Sequence, residues 1–367
     1  MVLSIITTEA LAHYMRGAVA MSFIFWSINL HVYAHRNRMM KLLYVASLYL
    51  TFAFLKDMVF LIEDLKDNAF VNDIAILVDL VAQPLLCAFF LEATRPGFAT
   101  TRRIAAAVVL QGAFIPLFLL DRSPWVFQTA YGVSCTMSLL TIVSVFVFSY
   151  KYRRYLSSNY SYMENIDVRW VEVLCVMYFT LISAYFVAFD SITWLSEALF
   201  NLLCIMVSAF CFVFAKKHLV VKDAGDAGSE GVEGNEDMEI EPLFSPYYEF
   251  ELEAKLEKCM KDKVYLEPKL TLSDMANYVG TNKTYLSYFF NNKQKTTFYE
   301  YINAYRIEEA CRIIDNITDE DRLSLAQIAQ ASGFNSQSTF SRYFTKAKGV
   351  TPGKYILEME MRRLMEK

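Results

Sequence analysis

Seven apolar segments, at about 11–33, 41–62, 73–93, 103–120, 124–150, 169–189 and 194–215, fill the first 220 residues. Each runs close to the roughly 20 residues that a helix needs to cross the hydrocarbon of a bilayer. Short polar breaks separate them, such as His35-Arg36-Asn37-Arg38 and Asp121-Arg122-Ser123-Pro124. The rest of the chain is different in kind. Charged residues number 32 among residues 1–223 and 42 among residues 224–367, 14% against 29%. That split excludes a small disulfide scaffold, a disordered chain and a soluble enzyme of even composition. The expected fold class is all-α: a seven-helix transmembrane bundle over 1–221, an acidic flexible linker over 222–246, and a soluble all-α domain over 247–367.

Positive charge orients the first half. The first, third and fifth loops and the stretch after the last segment carry 13 Lys and Arg, among them Arg36, Arg38, Arg95, Arg153, Arg154 and Lys216, whereas the opposite side carries Lys66 and Arg122. Basic loops stay in the cytoplasm. The expectation is a multi-pass protein of a bacterial inner membrane, N-terminus outside and C-terminal domain in the cytoplasm. The N-terminus shows no basic region of a cleavable leader.

Ionisable residues inside a bilayer are expensive and point to function. Arg16, Lys56, Asp57, Asp79 and Glu197 stand toward the outer ends of four segments. Together they are candidates for a pocket that takes a small polar or charged signal ligand. The alternative is mutual pairing, Lys56 with Asp79 or Asp57, that holds a bundle together. Ala130, Ser134 and Ser138 form a ridge of small residues suited to close helix packing. The linker has eight acidic residues and four glycines between Asp223 and Glu241, a composition too polar to order itself. Its 25 residues give a reach of roughly 28 Å.

The soluble half repeats one unit. Thr271 and Asp274, then Ser324 and Gln327, have the spacing of capping boxes. Gly280 and Gly333 stop the helices that follow, and Asn282 and Ser336 cap the next ones. Each unit is therefore helix, turn, helix: one at about 271–291 and one at about 324–346, with a linking helix at about 297–316.

Tyr285-Leu-Ser-x-x-Phe290, Phe298-x-x-Tyr-Ile-Asn-x-x-Arg-Ile-x-x-Ala310 and Gly333-Phe-x-Ser-x-Ser-x-Phe-Ser-Arg-x-Phe344, ending Gly349-x-Thr-Pro-x-x-Tyr355, resemble the DNA-binding domain of AraC-type transcription regulators. The resemblance covers about 265–356 and none of the apolar half. It implies two recognition helices, about 282–291 and 336–346, that enter successive major grooves of promoter DNA. RNA polymerase and a second copy of the chain are further candidate partners. A recognition helix offers its N-terminal residues to base edges. The outward candidates are Thr284, Ser287 and Tyr288 on the first helix and Gln337, Ser338, Ser341 and Arg342 on the second. Arg342 has the fork that guanine takes and Gln337 the amide that adenine takes. Tyr288 stands where family members often carry Arg. Lys283 and Lys346 are phosphate candidates.

No Cys-x-x-Cys, His-Glu-x-x-His, glycine-rich phosphate loop or Gly-x-Ser-x-Gly elbow occurs. No catalytic residue, metal or cofactor is therefore expected, and no phosphorelay module. The whole reads as a membrane-bound one-component regulator whose DNA binding answers a signal sensed by the membrane half. The alternative is a transporter or membrane enzyme with a regulatory helix-turn-helix tail. The spans show no broken-helix pair of the sort transporters use, which weighs against it.

Overall fold

The structure, a computed structural model, describes residues 2–66, 68–187, 193–218, 246–316 and 323–366. The acidic linker expected at 222–246 falls almost wholly outside the described residues. Every regular element among the described residues is helical, and the one β-type contact is an isolated bridge between Tyr160 and Thr271. The chain forms two compact units: Met1–Tyr152 with Val168–Ser229, and Arg153–Asp167 with Glu230–Lys367.

The first unit contains α1 (Val2–Tyr33), α2 (Arg38–Lys56), α3 (Glu63–Lys66), α4 (Ala69–Leu80), α5 (Ala82–Thr94), α6 (Thr101–Gly112), α7 (Phe114–Leu120), most of α8 (Pro124–Asn159), α9 (Arg169–Val187) and α10 (Trp194–Lys217). Five helical stretches among the described residues are long and apolar enough to cross a membrane: Arg38–Leu61, Ala69–Thr94, Thr101–Leu120, Pro124–Asn159 and Trp194–Lys217. The third and fourth segments are not continuous. One is interrupted at Val81 and the other at Ala113, three residues before Pro84 and Pro116. Proline lacks an N–H and its ring presses on the carbonyl four residues back, which kinks a helix. The expectation of uninterrupted spans is corrected at these two places. Ala130 and Ser134 are buried, and the Ala130 carbonyl accepts from Gln111 Nε2 at 3.3 Å, so this part of the small-residue ridge packs inward.

Helix α8 runs 36 residues, about 54 Å at the α-helical rise. It continues nine residues past the expected end of the fifth segment at 150. Lys151, Arg153 and Arg154 therefore lie on helix rather than in a loop.

The second unit holds α11 (Pro246–Lys261), α12 (Leu272–Val279), α13 (Lys283–Tyr288), α14 (Phe298–Asn316), α15 (Leu325–Ala331), α16 (Gln337–Lys348) and α17 (Pro352–Glu366). Its caps form as the residue spacing requires. Thr271 N–H donates to Asp274 Oδ2 at 2.9 Å while Asp274 N–H returns to Thr271 Oγ1 at 3.2 Å. Ser324 and Gln327 repeat the exchange at 2.8 and 3.3 Å. Each such cap satisfies helix-end donors that have no partner in the helix.

Two apolar cores hang on α14. Its first half sends Phe298 and Ile302 into a core with Leu272, Met275, Leu286 and Phe290. Its second half sends Ile307, Ala310 and Ile314 into another with Ile328, Phe334, Phe340 and Phe344. One rigid helix thus fixes the spacing of the two helix-turn-helix units. Gly333 is required where these parts meet: its φ is +85°, and a Cβ there would stand 2.9 Å from Leu266 Cα and Tyr265 O.

Candidate DNA-binding interface

Helices α13 (Lys283–Tyr288) and α16 (Gln337–Lys348) stand as the second helices of the two helix-turn-helix units. Asn282 Oδ1 accepts from Tyr285 N–H at 2.7 Å, and Ser336 Oγ accepts from Thr339 N–H at 3.3 Å, so each helix starts at a side-chain cap. The first is shorter than expected: α-helical geometry ends at Tyr288 and a π-turn, Phe289–Lys293, completes it. That turn lets adjacent Phe289 and Phe290 both reach the core, where each is 1% exposed.

Of the sequence candidates, Thr284, Gln337, Ser338, Arg342 and Lys346 are exposed, and Lys283, Ser287, Tyr288 and Ser341 are half-buried. None lies in the core. The other faces of the same helices hold Leu286, Phe340 and Phe344, all buried completely. Not every cation is at liberty. Lys346 Nζ stands 3.6 Å from Glu300, an exposed pair of small energetic weight. Lys283 Nζ lies 5.6 Å from the ring centroid of Tyr155.

Tyr155 belongs to the segment Arg153–Asp167, which begins in the last turns of α8 and clusters with the second unit. Its backbone runs beside the first helix-turn-helix, with Ser161 N–H donating to Leu270 O at 3.1 Å. Ser161 is also bound to Arg306, a 1% exposed arginine of α14. Arg306 Nη1 donates to Ser161 O at 3.0 Å and Nη2 to Ser161 Oγ at 3.1 Å. The other acceptors around the guanidinium are Tyr265 O at 2.7 Å, Glu267 O at 2.6 Å and Asn303 Oδ1 at 3.3 Å. Burial pulls the Arg306 pKa down to about 10, against the nearby Glu164 carboxylate, which raises it. The group stays cationic at neutral pH, solvated by oxygen atoms instead of water. Farther along, Glu164 Oε1 accepts from Ser336 Oγ at 3.3 Å, at the first turn of α16.

In the first unit, the five ionisable candidates form two paired groups. Arg16 Nε donates to Glu197 Oε1 at 2.8 Å. Lys56 lies against Asp57 and reaches Asp79 at 3.0 Å. Arg16, Asp57, Asp79 and Glu197 line a cavity of about 890 Å³; Lys56 is not among its walls. Most of the wall is apolar and aromatic, including Phe54, Phe90 and Phe212. Trp26 Nε1 and His13 Nδ1, on two further lining residues, are buried with no hydrogen-bond partner among the described residues.

Residues 275–357 match the model of a helix-turn-helix domain. The probable transcription factor PqrA of Proteus vulgaris is 30% identical over 98 residues, 27% of this chain and 77% of that protein. The melibiose operon regulatory protein of Escherichia coli is 33% identical over 94 residues, 26% of this chain and 30% of that protein. The chain belongs to the AraC-type family of helix-turn-helix transcription regulators. An HTH-type regulator of Bacillus subtilis, YtdP, is 32% identical over 89 residues, and the chain spans only 11% of its length. No solved structure matches the chain.

The AraC-type domain explains the two-core architecture and the exposed polar faces of α13 and α16. Ser161, Glu164 and Tyr155 were not found from sequence. They lie outside the family motifs, and no periodicity marks them. The one available signal was the stretch Ser157–Asp167, polar and longer than a tight turn between spans needs.

Proposed function

We propose that this AraC-type regulator is anchored in a bacterial inner membrane by its first unit, crosses it seven times, and binds promoter DNA from the cytoplasmic side in response to a ligand held in the first unit. The observation that carries the membrane assignment is an inverted surface. Val109 is 69% exposed, Leu120 87% and Leu139 62%, on helices apolar enough to cross a bilayer. Water does not tolerate apolar faces of that extent, whereas lipid does. The 13-to-2 bias of basic residues supports the orientation.

The cavity lined by Arg16, Asp57, Asp79 and Glu197 is the candidate sensing site, with Lys56 holding two of its carboxylates. Its volume lies in the range of small-molecule sites. The paired charges revise the expected ligand chemistry. Two cations meet three carboxylates, so an anion gains nothing there, and the walls favour an apolar body. The occupant that fits is an uncharged amphiphile, with a hydrogen-bond acceptor for the indole N–H of Trp26. RNA polymerase and a second copy of the chain are the remaining partners of this reading.

A reporter active only in the periplasm, fused after Lys367, is expected to stay silent; activity from it would overturn the topology. DNA binding is tested by footprinting genomic fragments with the full chain in lipid nanodiscs. A protected site is expected, and Arg342→Ala is expected to weaken it about 10–100-fold. No protected fragment at moderate salt would refute the promoter role.

A further inference from the structure

Each recognition helix carries a side-chain contact from Arg153–Asp167 at its first turn. Tyr155 lies under Lys283, the first residue of α13. Glu164 sits on Ser336, the cap of α16. These are the ends that a helix-turn-helix protein presents to base edges and phosphates. Between them the segment is fastened by the Tyr160–Thr271 bridge, by Ser161 N–H on Leu270 O, and by Arg306 and Asn303, which both donate to Ser161 O. We propose that Arg153–Asp167 is an interaction partner of the DNA-binding face, competing directly with DNA, and that the Glu164 carboxylate takes the place of a backbone phosphate.

The chemistry of the contact favours this assignment. The start of a 12-residue helix carries the positive end of the helix dipole, and here the cap hydroxyl of Ser336 offers its proton as well. Phosphate oxygens and carboxylate oxygens suit that position equally. Tyr155 likewise covers a cation that would otherwise meet a phosphate. Release does not require unfolding of the domain. Arg306 keeps Tyr265 O, Glu267 O and Asn303 Oδ1 when Ser161 leaves, and no residue of either core belongs to the segment. The segment consists of the last turns of α8 and the stretch that joins them to α9. A shift of those helices on ligand binding is transmitted to it without any intermediate domain.

This inference rests on the DNA-binding reading but fails separately from it. The test uses the full chain in lipid nanodiscs and a fluorescein-labelled 40-base-pair duplex of mixed sequence in 100 mM salt, as free probe conditions rather than a promoter. Tyr155→Ala/Glu164→Ala is expected to bind the duplex about tenfold more tightly than the unaltered chain, a shift of about 1.4 kcal/mol. Glu164→Gln, which keeps the shape and removes the charge, is expected to give part of that gain. Glu360→Ala, an exposed carboxylate far along α17 in sequence, controls for loss of negative charge alone and is expected to change affinity less than about twofold. Hydrogen exchange supplies the second readout: amides of 158–166 are expected to exchange faster when duplex is bound. Equal affinity of the double variant and the unaltered chain, or unchanged protection of 158–166 under saturating duplex, overturns the competition while leaving DNA binding intact. Absence of binding by every variant overturns both.

Discussion

Arg306→Met is expected to destabilise the second unit by about 3–5 kcal/mol. Methionine fills much of the volume of the arginine stem but offers no donor. Tyr265 O, Glu267 O, Ser161 O, Ser161 Oγ and Asn303 Oδ1 all lose the guanidinium. Ser161 O keeps the Asn303 amide and Glu267 O the Leu270 N–H, but acceptors such as Tyr265 O, left without the guanidinium in a buried site, cost more than the same bonds contribute when made. Arg306→Lys is expected to recover only a minor part, because an ammonium is a point donor that cannot span acceptors spread around a planar fork. The measurement is hydrogen exchange in the full chain across 298–316, where protection should fall with the loss of stability. Protection equal to that of the unaltered chain would show that the guanidinium is dispensable. Because α14 feeds both cores, the loss is expected in both helix-turn-helix units together, not in one.

The second large effect concerns the pair Arg16 and Glu197, whose side chains are 13% and 16% exposed. Arg16→Leu leaves a carboxylate in an apolar cavity wall, at an expected cost of about 3–5 kcal/mol. Arg16→Leu/Glu197→Leu removes both charges and is expected to restore most of the stability, since an apolar pair of similar volume is often as good as a buried ion pair. Thermal unfolding of both variants in one detergent distinguishes the cases. A single variant as stable as the parent would mean that water reaches Glu197. The double variant also separates the two roles considered for these residues. If it folds but no longer changes promoter output with the signal, the pair belongs to the sensing site; if response persists, it serves the bundle.

The DNA-binding half was unusually legible in its residues. Capping pairs three residues apart and glycines at fixed offsets are local devices, and local devices act through the nearest few peptide groups whatever the fold. Thr271 with Asp274 and Ser324 with Gln327 therefore formed as their spacing required. The apolar stripe of 298–316 was readable too, but not that its two ends serve different cores. The ionisable residues of the first half could be nominated but not paired. Arg16 and Glu197 are 181 positions apart, and no short-range rule connects them. The kinks at Val81 and Ala113 had a visible cause in Pro84 and Pro116, whose effect depends on whether neighbouring helices accommodate the bend.

By itself, the sequence determined that the regular elements among the described residues are helical, that an apolar half precedes a polar one, and that the polar half carries an AraC-type domain. Periodicity, caps and charge density are properties of neighbouring residues, so they survive without knowledge of the fold. Tertiary structure alone decided that Ser161 meets Arg306 across 145 positions, and Glu164 meets Ser336 across 172. A buried guanidinium needs oxygen atoms from wherever the chain can bring them, and that requirement has no signature in local sequence. It is through those contacts that a segment lying between two apolar helices comes to sit against the two helix-turn-helix units.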